Sequence, residues 1–583
     1  MSLSLPPHSS WLDRWFSYLD QLRPFDRLVF GVLFLVFVFS LIVNSIILNQ
    51  SFLVSVPEGG GKLIEGAIGS PRFINPVLAI TRADHDLVAL TYSGILRLSP
   101  SGEFENDLAE SVTISDDGRV YNVILRQDRK WHDGTPVTAE DIAYTIALIQ
   151  NPDLKSPLRG NWSGVTVELI GRYEINFVLE NPYAPFVENM TVGILPKHIW
   201  ETLSDEELPF SQHNIEPIGS GPYEVAEIKR NPAGLVSEYH LRVSPHYNEQ
   251  TNLNQITIRF YQNEEAILNA LKEGKINATG ALSERWLNDI SRDDFNFISE
   301  PLPRVFSVFY NQNKNPALRD KAVREALSVV VDRDELLKLA VNGYGRAAYS
   351  PLPPGFTDVP ETTSNYGTKE ERLKAARQIL EAGGWAIGAN GRYEKKIDGI
   401  DSPLTITMRS GNSLLFETIS SYLTGIWQEM GADVSVELYE QSDLVQTIIR
   451  PRDYQILIFG ADIGRSLDLY PFWHSSQRED PGLNVSLYAN IAVDQLVSEL
   501  RTATSSELRT DLLRQFSNEI ANEQPATFLF APSFEYVIDS HISTAEMKRI
   551  QRPSERFSNV TDWYMNESGV WSFFADRNWD IWN

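Results

Sequence analysis

Apolar and polar positions divide the chain into a short amino-terminal segment, a charge-free run and a long patterned body. Leu28 to Leu48 holds 21 residues without a charge. As a helix rising about 1.5 Å per residue it spans roughly 31 Å, the thickness of a bilayer core. The run is longer than the apolar part of a cleaved signal, and Asn49-Gln50-Ser51-Phe52-Leu53 offers no convincing cleavage site. A retained transmembrane anchor over 28–48 is therefore expected. Arg14, Arg23 and Arg27 precede the run, and Lys62 is the first basic residue after it. That asymmetry puts residues 1–27 in the cytoplasm and the body on the outer face of the cell membrane. Residues 9–22, with Trp11, Leu12, Trp15, Phe16, Leu19 and Leu22, read as an interfacial amphipathic helix or as a disordered tail. Residues 49–61 end in Pro57-Glu58-Gly59-Gly60-Gly61 and read as a flexible linker.

The body mixes period-two and helical patterns. Lys62–Ile68 predicts a strand, and a helix follows through Leu87-Val88-Ala89-Leu90. Asp117-Gly118 predicts a hairpin turn into a strand at Val120–Arg126. Asp133-Gly134 is turn chemistry, and Thr138 stands three residues before Asp141, opening a helix with Ile142, Ile146 and Ile149 on one side. Gly219-Ser220-Gly221 lacks the spacing of a nucleophile elbow and reads as a chain reversal. Asn263 caps a helix that stops at Gly274, and Val323, Ala326, Leu327 and Val330 mark another. Further on, Leu404–Met408, Val434–Leu438 and Tyr454–Phe459 read as strands, the last almost continuously apolar and so buried on both faces. Helices at 414–430, with Ile419, Tyr422, Leu423, Ile426 and Trp427 on one face, and at 442–450 separate them. That β-α-β-α-β order predicts a parallel sheet with right-handed crossovers.

Bulk chemistry narrows the function. The formal net charge of -26 argues against a nucleic-acid partner, whose phosphates call for Lys and Arg. With no cysteine there are no disulfides, thiolate metal sites or cysteine nucleophiles, and the nine histidines show no close ligand spacing. No metal or other cofactor is expected.

The run Trp131-His132-Asp133-Gly134-Thr135-Pro136-Val137-Thr138-Ala139-Glu140-Asp141-Ile142-Ala143-Tyr144 resembles the signature of the family-5 extracellular solute-binding proteins, the peptide-binding components of ABC importers. Arg72-Phe73-Ile74-Asn75-Pro76, Tyr92-Ser93-Gly94-Ile95-Leu96, Ile218–Tyr223 and Phe309-Tyr310-Asn311 follow in the family's order, and the resemblance extends over nearly all of 62–540. It implies an α/β, two-lobed periplasmic-binding-protein-like fold of type II with an extra subdomain in lobe 1. The expected divisions are 62–95, 218–305 and 533–583 for the lobe 1 core, 96–217 for the subdomain and 306–532 for lobe 2. It implies a protein that is no enzyme, closes two lobes on a peptide and hands it to an ABC permease. The same fold also takes oligosaccharides and metal chelates. A glycoside hydrolase using Asp462 and Asp468 as paired carboxylates is the alternative from another class. His132 and Asp133 read as structural, and the aromatic tail (Trp563, Trp571, Phe573, Phe574, Trp579, Trp582) lies outside the resemblance.

Ligands of parallel sheets bind beyond the carboxyl ends of the strands, here Arg409–Ser413, Tyr439–Ser442 and Gly460–Asp468. The stretch 459–476 places two glycines, two carboxylates and a guanidinium among aromatics, a surface suited to an extended peptide. The expected ligand contacts are Phe73, Asn75, Arg409, Ser410, Asn412, Gly460, Ala461, Asp462, Arg465, Asp468 and Trp473. In peptide-binding members an aspartate shortly before an acidic-Pro step holds the ligand's amino terminus. Asp468 resembles the acidic residue of that step, which puts Arg465 at the amine position, where a cation cannot serve. Either Asp462 takes over, or no free amino terminus is held. Arg465 and Arg409 suit an anionic group.

Overall fold

The computed structural model describes residues 18, 23–360, 367–397, 399–503 and 505–571. The amphipathic segment expected over 9–22 lies outside them apart from Tyr18, as do Phe573, Phe574, Trp579 and Trp582 of the tail. Residues before Gly59 together with those after Met565 form one compact unit, and Gly59–Met565 forms another.

In the first unit Pro24–Phe52 is a single helix. Its stretch Pro24–Asn49, 26 residues containing an 18-residue window of mean hydropathy 2.7, is long and apolar enough to cross a membrane. Leu53–Glu58 is a strand, not the flexible linker expected there, antiparallel to Asn566–Trp571 with Leu53 opposite Trp571. Leu53-Val54-Ser55-Val56 alternates and carries β-branched residues, but its partner lies more than five hundred residues away. Residues 566–571 therefore belong beside the end of this helix and not to the first lobe, where 533–583 was expected.

A twelve-stranded sheet runs through the second unit. Its strands begin with β1 (Lys62–Ile68), β2 (Tyr223–Arg230), β3 (Val236–Val243), β4 (Gln255–Tyr261), β5 (Ala278–Thr279) and β6 (Phe295–Pro301). They continue with β7 (Arg304–Tyr310), β8 (Gly345–Ala347), β9 (Thr405–Gly411), β10 (Asp433–Tyr439), β11 (Ile456–Asp462) and β12 (Ala526–Asp539). The spatial order is β10-β9-β11-β7-β12-β5-β1-β4-β3-β2, with β6 and β8 also paired to β12.

β12 serves both halves of this sheet. Its residues 526–530 pair with β7, 530–532 with β8 and 533–539 with β6. Pro532 has no N–H to give, and it falls where the ladder changes partner. Its carbonyl accepts from Leu302 N–H at 2.9 Å, so the two chain crossings are tied to each other. The expected parallel unit is present: β9 pairs parallel with β10 and with β11. Helix Leu414–Met430 covers it with Ile419, Leu423, Ile426 and Trp427 buried. Helices at Ile491–Leu500 and Ser506–Glu523 pack into a second core that includes Leu457 and Phe528.

The first lobe carries a separate four-stranded sheet of residues 109–114, 120–125, 174–179 and 165–171. Thr138 and Asp141 complete a reciprocal capping box, and Ile142, Ile146 and Ile149 are fully buried. His132 Nδ1 accepts from Gly219 N–H at 3.1 Å, and its Nε2 bonds the Gly221 carbonyl at 3.0 Å. A Cβ at Gly219 would lie 1.8 Å from the Thr91 carbonyl oxygen, so only glycine fits. The signature stretch is thus a scaffold corner. Beneath it all, the buried Arg556 guanidinium bonds Asp86 at 2.8 Å and Glu65 at 2.9 Å. Tyr536 donates to the same Glu65 at 2.8 Å, so β1, β12, the helix at 82–91 and the turn at 553–557 share one paired charge cluster.

Glu535 stands on β12 opposite Ser299 of β6, whose hydroxyl donates to it at 2.6 Å. Burial pushes its carboxyl up from 4.5 to about 7, with Glu284 and Glu300 adding to the rise and Ser299 and Arg292 opposing it. The folded protein therefore holds this proton where the unfolded chain has released it. Its contribution to stability is present below about 4.5 and lost as pH rises through about 7. Urea unfolding at stepped pH is expected to show this slope in the wild type and its loss in Glu535→Gln.

Candidate functional site

The carboxyl end of β11 is built by a mismatch between its two neighbours. On one edge β7 pairs with every residue from Ile456 to Asp462. On the other, β9 pairs only at Met408/Ile456 and Arg409/Leu457, then continues along β10. The Ile458 carbonyl on that edge takes the Ser410 hydroxyl at 3.0 Å. By the two-residue alternation of a strand, Gly460 and Asp462 turn their backbone groups to the same side, beyond the last ladder pair.

Beside this edge lies a cavity of about 690 Å³, lined wholly by residues between Arg304 and Phe528. Four of the expected residues meet there: Gly460, Ala461, Asp462 and Trp473. A Cβ at Gly460 would come within 3.0 Å of the Phe306 ring, so glycine lets that ring lie against the strand. Trp473, buried among Phe309, Phe516 and Phe528 with ring centroids 6.0–6.5 Å away, is a wall of the cavity packed into the core. Asp462 is exposed, and its carboxylate pairs with Arg304, its cross-strand neighbour, at 3.0 Å.

The remaining expected residues are engaged elsewhere. Arg465 is buried and faces the first lobe: its guanidinium pairs with the Glu555 carboxylate and bonds the Gly102 carbonyl at 3.4 Å. Asp468 is held bidentately by Arg501 at 2.8 and 3.0 Å and accepts from the Tyr183 hydroxyl at 3.1 Å. Neither lines the 690 Å³ cavity; Arg465 borders a smaller one of about 260 Å³ on the first-lobe side. The anionic group that Arg465 meets here is therefore Glu555, and Asp468 is not on the lining of the cavity that Asp462 borders. Arg409 sits within β9, not at its end, and is paired with Glu437 at 2.8 Å and Asp453 at 3.0 Å. The Asn412 amide donates to Glu440 at 2.6 Å. Asn75 is buried, bonding Asn214 at 3.1 Å and accepting from Val77 N–H at 2.9 Å, which makes it a turn former. Phe73 lies under the Arg72 guanidinium, 4.8 Å from its ring centroid, and lines neither cavity.

Several cavity residues went unpredicted, among them Arg304, Phe306, Phe416, Ile449 and Phe472. Phe472 fell inside the stretch read as chemically loaded. Arg304 becomes visible only through the antiparallel pairing of β7 with β11, which no local pattern announces.

Two lobes sharing one strand, with an open strand edge over a cavity at the end of a buried parallel strand, define a solute-binding protein of the two-lobed class. The chain belongs to the bacterial extracellular solute-binding proteins, family 5, whose profile matches residues 103–481. Among curated relatives, the oligopeptide-binding protein AppA of Bacillus subtilis is 26% identical over 515 residues, covering 87% of this chain and 92% of the relative. Among solved structures, the ABC transporter substrate binding protein CtaP of Listeria monocytogenes superposes with TM-score 0.70 at 26% identity, covering 87% of this chain and all of that one. The structure of Bacillus subtilis AppA in complex with a nonapeptide gives TM-score 0.63 at 25% identity, with 88% of this chain and 100% of that chain covered.

Arg465→Ala leaves Glu555, which also accepts from Gln551 N–H at 2.8 Å, without its cation at a poorly solvated contact. A loss of about 2–4 kcal/mol is expected, read from the denaturant midpoint at pH 7, with Glu555→Gln in the same chain restoring part of it.

Proposed function

We propose that this protein captures peptides between its two lobes at the outer face of the cell membrane and delivers them to an ABC permease, held there by the helix Pro24–Phe52 with its amino terminus inside. The observation that carries the reading is the open edge of β11 at Gly460–Asp462. A peptide is the ligand class that can complete such an edge, because it brings its own alternating N–H and C=O groups. The oligopeptide-binding relative AppA supports the same class. The anchor is supported by the charge-free run 28–48 within that helix and by Arg14, Arg23 and Arg27 on the amino-terminal side of the run.

In this reading Asp462 receives the peptide's amino terminus. It is the cavity carboxylate that stands at the end of the open edge, and its present partner Arg304 is an exposed cation. An exposed ion pair contributes only about 0–1 kcal/mol, so an ammonium group displaces it at little cost. A ligand that touches both lobes then favours the arrangement in which both reach it.

Calorimetry on the full chain in lipid nanodiscs tests this with short peptides carrying a free or an acetylated amino terminus. Acetylation and Asp462→Asn are each expected to weaken binding by about tenfold to a hundredfold, the equivalent of one charge-assisted hydrogen bond. A chain that retains no peptide but carries carbohydrate or a metal chelate overturns the peptide reading.

A further inference from the structure

Charge and polarity around the 690 Å³ cavity say more about the ligand than its shape does. Its walls include β7, β11, the helix at 414–430, the turn at 444–449 and the segments 470–473 and 480–485, which present Phe306, Phe459, Phe416, Ile449, Phe472 and Leu483 as apolar groups. Every charged side chain on the lining has a partner within the protein. Arg304 and Asp462 face each other at 3.0 Å, and Arg450 approaches Asp480 at 3.8 Å. The Arg452 guanidinium is committed to the carbonyls of Ile449, Arg478 and Gly482 at 2.8, 2.9 and 2.6 Å. A charged side chain entering among these apolar walls would lose water, and would meet an opposite charge only by opening contacts already made. A volume of about 690 Å³ also falls within the range of pockets that enclose a sizeable organic ligand.

We infer that the ligand is a peptide with a large apolar, preferably aromatic, side chain at its first or second position, seated in this cavity. The inference rests on the peptide reading above. Position follows from geometry: Asp462 borders the cavity, and strand residues advance about 3.3 Å each with side chains alternating in direction. A peptide whose amine meets Asp462 and whose backbone follows Gly460–Asp462 therefore turns one of its first two side chains into the aromatic walls. Aromatic pairs add edge and stacking contacts to the burial of apolar surface.

The test uses the full chain in nanodiscs and tetrapeptides with free amino termini, built on tetra-alanine with Phe, Trp, Lys or Glu at position one or two. Phe and Trp at one of these positions are expected to bind about tenfold to a hundredfold more tightly than Ala, and Lys and Glu no better than Ala. Ile449→Glu and the milder Ile449→Ser, both on the cavity wall, should remove most of that preference, bringing Phe and Trp peptides down toward tetra-alanine, with a cooperative melting transition of Ile449→Ser showing that the chain still folds. Equal binding of all tetrapeptides, or a preference for Lys or Glu, overturns this inference and leaves the peptide reading standing. An aromatic preference that survives both variants overturns the assignment to this cavity. Failure to bind any tetrapeptide overturns the peptide reading itself.

Discussion

One strand holds the two lobes in a single ladder. β12 gives its first residues to β7 and β8 and its last to β6, and most of its length is buried. A strand interior is a poor place for proline, because the missing N–H breaks the ladder. Pro532 is tolerated because the ladder changes partner there, and the Leu302 hydrogen bond to its carbonyl ties the second crossing to the first. The charge cluster of Glu65, Asp86 and Arg556 then fixes the first-lobe end of β12 through Tyr536. Two rigid lobes joined at adjacent short crossings are the arrangement in which hinge motion is the natural response to a shared ligand.

The residues after β11 divide into two tasks. Gly460 to Asp462 stay on the cavity, open at one strand edge. Arg465 and Asp468, only a few residues on, are committed to the opposite lobe through Glu555 and Tyr183. A positively charged residue that looks like a ligand anchor in a linear reading is thus an interlobe contact. Asp462, the plain member of the stretch, is the carboxylate left facing the cavity. Its counter-ion comes from β7, so the electrostatics of the site depend on an antiparallel pair between segments some 150 residues apart.

Much of this was legible beforehand. Apolar continuity at Ile456-Leu457-Ile458 marked a strand buried on both faces, and Gly431 after Trp427 marked the end of the preceding helix. The capping box at Thr138 and the Ile142, Ile146, Ile149 stripe sit as their spacing demands. Gly460, Ala461, Asp462 and Trp473 came from the rule that ligands meet the carboxyl ends of parallel strands. Arg409 and Asn75 lie off the cavity through detail that local pattern does not contain: β9 runs two residues beyond Arg409, and Asn75 closes a turn against Asn214. The pairing of Leu53–Glu58 with Asn566–Trp571 was invisible because a strand's partner is a long-range property.

The sequence by itself determined the class of protein, the charge-free run 28–48, the parallel unit of the second lobe and the loop that borders the cavity. The class came through the family resemblance of the Trp131–Tyr144 run; the other three are local, set by period, capping and turn chemistry within windows of about ten to twenty residues. Tertiary structure alone decided which side chains of that loop face the cavity. Arg465 and Asp468 are drawn away by partners hundreds of residues distant, and Arg304 is brought to Asp462 by register. Burial and charge pairing depend on what arrives from elsewhere in the chain, and no local pattern carries that information.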